Sequence, residues 1–156
     1  MKSRTVAGLL LCAVILSLCG CSARKDSPDI RLKRESIDTI IMQKSYPIEG
    51  SEDNMFRQKE ISEAEDIDAL VEWIEGLQLV KGEVIGIDPR LVEYTIILEG
   101  VKDHLLVFTQ GKVIYDGIVY DYENSEQALE AQQKYSLLNY EENEAQVVTD
   151  LKVRPS

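Results

Sequence analysis

Between residues 91 and 122 the chain repeats one pattern: a short run rich in Val, Ile, Leu, Phe, Tyr or Thr, ended by a glycine-containing break. The runs cover 91–98, 104–109, 112–115 and 118–122, and the breaks are Glu99-Gly100, Gln110-Gly111 and Asp116-Gly117. Links this short leave no room for a helical crossover, so neighbouring runs must pair antiparallel, as a meander. Asp116-Gly117 offers the positive φ that a tight hairpin turn demands.

Upstream, residues 35–43 carry Ile37, Thr39, Ile40, Ile41 and Met42, which reads as a strand. A polar loop follows, and residues 55–61 alternate weakly, as an edge strand would. Ser62-Glu63-Ala64-Glu65 has the form of a capping box. The helix it introduces places Ile67, Leu70, Val71, Ile74 and Leu77 on one stripe. Residues 81–89 read as a link, its glycines as a turn. Near the end, Asn124 or Ser125 caps a second helix with Ala128, Ala131, Tyr135 and Leu138 on one side. The predicted fold is α+β: one antiparallel sheet of about four to five strands with two helices packed on one face.

The N-terminus carries an address. Lys2 and Arg4 precede an uncharged, mostly apolar stretch at residues 6–18, which has the form of a secretory signal. A permanent span needs ~20 apolar residues, and this stretch is shorter. It ends in Leu18-Cys19-Gly20-Cys21, which resembles the lipobox of bacterial lipoproteins, with Cys19 standing where that family usually has Ala, Ser or Thr. The resemblance implies a signal peptide over 1–20, cleavage before Cys21 and a diacylglycerol thioether on its sulfur. The three cysteines, Cys12, Cys19 and Cys21, all fall in this region, so after cleavage the body would carry no cysteine pair for a disulfide. Two acyl chains anchor stably where one holds marginally. The expected location is the extracytoplasmic face of the cell membrane.

The predicted organisation continues with the lipidated Cys21 and a flexible linker over 21–34, a single small domain over 35–140 and an acidic, disordered tail over 141–156. Arg31, Lys33 and Arg34 form a basic cluster in the linker, compatible with contact to anionic headgroups or with a merely solvated segment. From its element order, the helix end Trp73-Ile74-Glu75-Gly76-Leu77, Gly111-Lys112 and the Tyr-rich last hairpin, the body resembles small lipoprotein domains of unassigned role in Gram-positive bacteria. That resemblance implies no catalytic residue.

The full chain carries a net charge of −11. Loss of the leader, which holds two basic residues and no acidic one, makes this −13. Such a body repels polyanions, so nucleic acid is not an expected partner. One histidine, His104, restricts imidazole chemistry, and no Gly-x-Ser-x-Gly elbow accompanies it. It is expected at the solvent edge. Zinc spacings are missing as well, and no cofactor or metal is expected. Asp116, Asp121, Glu123 and Glu126 concentrate acid near the last hairpin, as a cation or acid–base site or as an ordinary solvated face. Tyr115, Tyr120 and Tyr122 form the candidate binding surface, since an aromatic strip accepts a sugar or a peptide side chain. The same rings can instead complete the core.

These features predict a lipid-anchored, extracytoplasmic, non-catalytic binding module of the cell envelope, with an envelope protein or cell-wall component as partner. The alternatives are a small envelope hydrolase using an acidic pair, or an accessory solute-binding component.

Overall fold

The computed structural model describes residues 30–51, 54–83, 88–109 and 111–145. Among these, eight strands form one antiparallel sheet: β1 (Ile37–Pro47), β2 (Asn54–Ile61), β3 (Leu79–Lys81), β4 (Val92–Gly100), β5 (His104–Thr109), β6 (Lys112–Tyr115), β7 (Ile118–Tyr122) and β8 (Asn143–Ala145). Their spatial order is β3-β7-β6-β5-β4-β1-β2-β8. Two short helices accompany them, α1 (Ala64–Glu75) and α2 (Glu130–Leu137).

The expectation of four to five strands is therefore corrected to eight, and the molecule is mostly sheet. The difference lies partly in β3 and β8, three residues each. Segments that short show no usable periodicity and form because an exposed strand edge is already there to pair with. β3 docks on β7, with Val80 opposite Asp121, and Gly82 continues the contact by donating to the Val119 carbonyl at 3.0 Å. β8 docks on β2, with Ala145 opposite Phe56, so β2 is an inner strand.

α1 joins β2, near one edge, to β3 at the other, so it crosses the sheet. Its stripe Ile67, Leu70, Val71 and Ile74 is buried in one core cluster with Ile40, Met42, Ile96, Leu98, Leu106 and Phe108. Ala131 and Tyr135 of α2 join the same cluster. Each fully buried aliphatic side chain contributes about 1.5–3 kcal/mol. Alternate residues point the other way, where Phe56, Val92, Val107, Ile114 and Val119 form a second, smaller cluster. Trp73 stacks on Phe108 with ring centroids 5.8 Å apart, and its indole N–H donates to Glu130 at 2.8 Å, tying α1 to α2.

The capping box does not form. Glu63 is the N-cap and makes no side-chain cap bond. Tertiary contacts hold α1 instead: Arg34 pairs with Asp68 and the Tyr140 hydroxyl donates to Asp66 at 2.7 Å. The 125–129 turn before α2 is capped by Asn124, whose side chain accepts from the Glu126 N–H.

The folded body reaches beyond 35–140 on both sides. Ile30 and Leu32 are only 5% and 8% exposed and belong to the main core, and the Leu32 N–H donates to Glu75 at 2.7 Å. The pairing of Arg34 with Asp68 commits one member of the basic cluster to the fold. Gly100 is required where it stands, since a Cβ there would lie 1.7 Å from the Ser36 carbonyl oxygen.

Candidate functional site

Among the described residues an open cleft of about 490 Å³ lies where β1, the start of β4 and the 125–129 turn with α2 meet. β1 contributes Lys44, Ser45 and Pro47, β4 contributes Val92, Glu93 and Tyr94, and Ala128, Leu129 and Gln132 close it from above. The β1–β4 register sets Lys44 directly opposite Tyr94.

A β-bulge shapes this site. Val92 pairs with Thr109 and Tyr94 with Phe108, which leaves Glu93 as an extra residue in β4. Bulges re-aim side chains in this way. Burial raises the hydroxyl pKa of Tyr94 and Tyr122, with the nearby Glu93 carboxylate adding to the rise in both, and those rings belong to or pack on the helix-covered core. Burial lifts the Glu93 carboxyl above the usual carboxylate range, because a low-dielectric setting penalises the ionised form.

Lys44 is held from behind. Its Nζ lies 4.7 Å from the centre of the Tyr46 ring and 5.9 Å from that of Tyr135, within cation–π range. Those rings are themselves fixed: the Tyr46 and Tyr135 hydroxyls both donate to Glu142 Oε1, at 3.1 and 2.8 Å. The Tyr135 bond, the largest cause, holds the Glu142 carboxyl below its ordinary value. Lys59 Nζ donates to the carbonyls of Tyr135 and Leu138, at 3.0 and 2.7 Å.

Among the described residues neither Lys44 nor Glu93 has an ion-pair partner. Arg90, the other cation of the cleft, grips Asp88 through Nε at 2.9 and 3.0 Å and Nη2 at 2.6 Å. That grip lowers the Asp88 carboxyl to about 2. The cleft thus presents one ammonium and one carboxylate beside exposed Leu91 and Leu129.

The residues singled out by sequence lie elsewhere. Tyr120 is 8% exposed and sits in the main core, while Tyr115 and Tyr122 are half-buried against it. They share a face and yet present no exposed aromatic strip. Burial raises the Tyr115 hydroxyl to about 12 and pushes Tyr122 further.

Of the acidic four, Asp116 accepts from the Leu105 N–H at 3.0 Å and meets His104 Nδ1 at 2.7 Å. Asp121 pairs with Lys112 at 2.5 Å, and Glu123 and Glu126 are exposed. The four do not converge on one point. His104 lies inside a polar corner, with a side chain 16% exposed and Tyr115 Oη 3.2 Å from Nδ1, instead of at the solvent edge. Among the described residues no group of three His, Cys, Asp or Glu side chains is placed to hold a metal ion.

Cys21, the leader, residues 84–87 within the predicted turn, and residues 146–156 of the predicted tail lie outside the described residues. Sequence reasoning missed Lys44 and Glu93. Lys44 falls one residue past the β-rich run read at 35–43, which the structure extends to Pro47; for Glu93 there was no signal, since bulges leave no compositional mark.

Comparison with protein-family models, with curated proteins and with solved structures finds no match for this chain.

Proposed function

We propose that this chain is a lipid-anchored, extracytoplasmic, non-catalytic binding module of the cell envelope, in which Cys21 carries the anchor and the Lys44–Glu93 cleft does the recognising. The observation that carries the binding role is the convergence of two opposite charges in one cleft with neither neutralised by a described residue. Lys44 is half-buried and Glu93 is exposed, so both remain open to a ligand, and one that pairs both gains charge-assisted hydrogen bonds. The chain's one histidine lies toward the other end of β4, beside Leu98 in the register, with Nδ1 already engaged by Asp116. That separation favours binding over acid–base chemistry in the cleft.

Support for the address comes from the lipobox-like Leu18-Cys19-Gly20-Cys21 and the apolar stretch before it. The partner in this reading is a component of the envelope or of the medium outside it. Cys21→Ser tests the anchor. The expected result is loss of the diacylglycerol mass and release of the protein from the membrane fraction. Unchanged mass and unchanged fractionation of the variant would remove the anchor from the reading.

A further inference from the structure

We infer that the cleft binds a short zwitterionic peptide with an apolar side chain, its amino group on Glu93 and its carboxylate on Lys44. This rests on the binding-module reading and names the ligand class for the same site. Lys44 stands opposite Tyr94 across the β1–β4 pairing, and Glu93 is the next residue along β4. The two charged residues therefore line the same cleft from adjacent strands.

They do not neutralise each other. The Lys44 ammonium rests over the faces of Tyr46 and Tyr135, rings that are anchored in turn to Glu142. A purely anionic ligand would satisfy Lys44 and be opposed by Glu93, and a purely cationic one would meet the reverse. Only a molecule carrying both charges pairs both. The β4 bulge sets Glu93 on the lining of the cleft that Lys44 also lines, so both charges are open to a single ligand.

Size and polarity agree with this ligand. The cleft, at about 490 Å³, falls within the range of small-molecule sites, about 300–1,000 Å³. Leu91 and Leu129, 43% and 60% exposed, form an apolar wall on which a leucine-like side chain loses its own contact with water. Leu129 and Gln132 also line a second depression that continues along α2 past Ser136 to Leu137, which leaves room for a second side chain.

The test is calorimetric titration of the full lipid-modified chain in detergent with L-leucyl-L-leucine, its N-acetylated form and its C-terminal amide. The free dipeptide should bind, and each capped form should bind about tenfold more weakly or worse. Glu93→Gln should erase the penalty of acetylation and leave that of amidation; Lys44→Gln should do the opposite. This crossed pattern cannot arise from misfolding. Equal binding of capped and free peptides, abolished by Leu129→Asp, would overturn the zwitterion and leave the cleft standing as a binding site. Dipeptide binding untouched by Leu129→Asp would overturn both. No binding of any of the three peptides would overturn the ligand class, while the Cys21→Ser experiment would decide the address separately.

Discussion

Two polar regions near opposite ends of β4 treat charge differently. In the corner built by His104, Asp116 and Tyr115, the carboxylate receives the Leu105 N–H and faces His104 Nδ1, and the imidazole stacks on Tyr115 at 5.8 Å. Asp116 even adopts a left-handed φ of 48° to reach this position. The corner is internally satisfied and braces the β6–β7 turn. In the cleft, Lys44 and Glu93 sit beside each other's strands without pairing. Polar groups that complete one another hold a fold together, whereas the two cleft charges have no described ion-pair partner and are the groups to which the proposed ligand is assigned.

The contrast breaks most readily at Asp116. Asp116→Ala removes the acceptor for Leu105 and His104 and places a Cβ-bearing residue without a compensating side-chain bond in the left-handed region, which costs ~1–2 kcal/mol alone. A total loss of about 3 kcal/mol in urea unfolding is expected, with dipeptide affinity unchanged in the folded protein. Lost affinity at intact stability would mean that the corner belongs to the binding site.

Next in size is Glu142, the bracket behind Lys44. Glu142→Ala should cost about 1–2 kcal/mol, since it strips an acceptor shared by two tyrosine hydroxyls. The folded-state pKa of Glu142 is lowered, so its contribution is present above the unfolded value and lost as pH falls through the folded one. Acid unfolding followed by tryptophan fluorescence should therefore lose part of its pH dependence in the variant.

A smaller effect is expected at alkaline pH. The Tyr115 hydroxyl is raised to about 12, chiefly by burial. Stability tied to its neutral form is full below the ordinary tyrosine value, about 10, and is lost as pH rises through the folded value. Tyr115→Phe should flatten the fall in urea midpoint over that interval.

The smallest stability change is predicted at Glu93. Its folded pKa is raised by burial, so ionisation opposes folding as pH climbs through that value, and a neutral amide escapes the penalty. Glu93→Gln should lie within about 0.5 kcal/mol of the parent at neutral pH, or slightly above it. A large destabilisation would show that Glu93 is structural and would erase the contrast with the corner.

Much of the scaffold was legible without coordinates. The α1 stripe from Ile67 to Ile74 is buried as its 3.6-residue spacing requires, and the β6–β7 turn falls at Asp116-Gly117, both with positive φ. Local chemistry suffices there, because a left-handed turn and an amphipathic stripe are written in adjacent residues. The capping box shows the limit: the Ser-x-x-Glu pattern is present, yet the chain enters α1 at Glu63 without that bond, and contacts from residues 34 and 140 do the holding instead.

The candidate site was the least legible part. Tyr115, Tyr120 and Tyr122 attracted attention because aromatic residues stand out in a sequence, but burial is a property of the packed sheet, and it takes Tyr120 into the core. Lys44 and Glu93 are 49 positions apart in number and unremarkable in type. One strand pairing and one inserted bulge residue bring them to the same cleft.

Sequence alone determined the acidic balance, the meander and the amphipathic first helix, and it carries the lipobox-like motif on which the proposed address rests, all consequences of short-range pattern and composition. Tertiary structure alone decided that the sheet runs to eight strands, which carboxylates are spent on internal partners and where opposite charges stay open. The physical reason is that edge pairing, burial and charge neutralisation depend on residues far apart along the chain, whose meeting exists only once the backbone has folded.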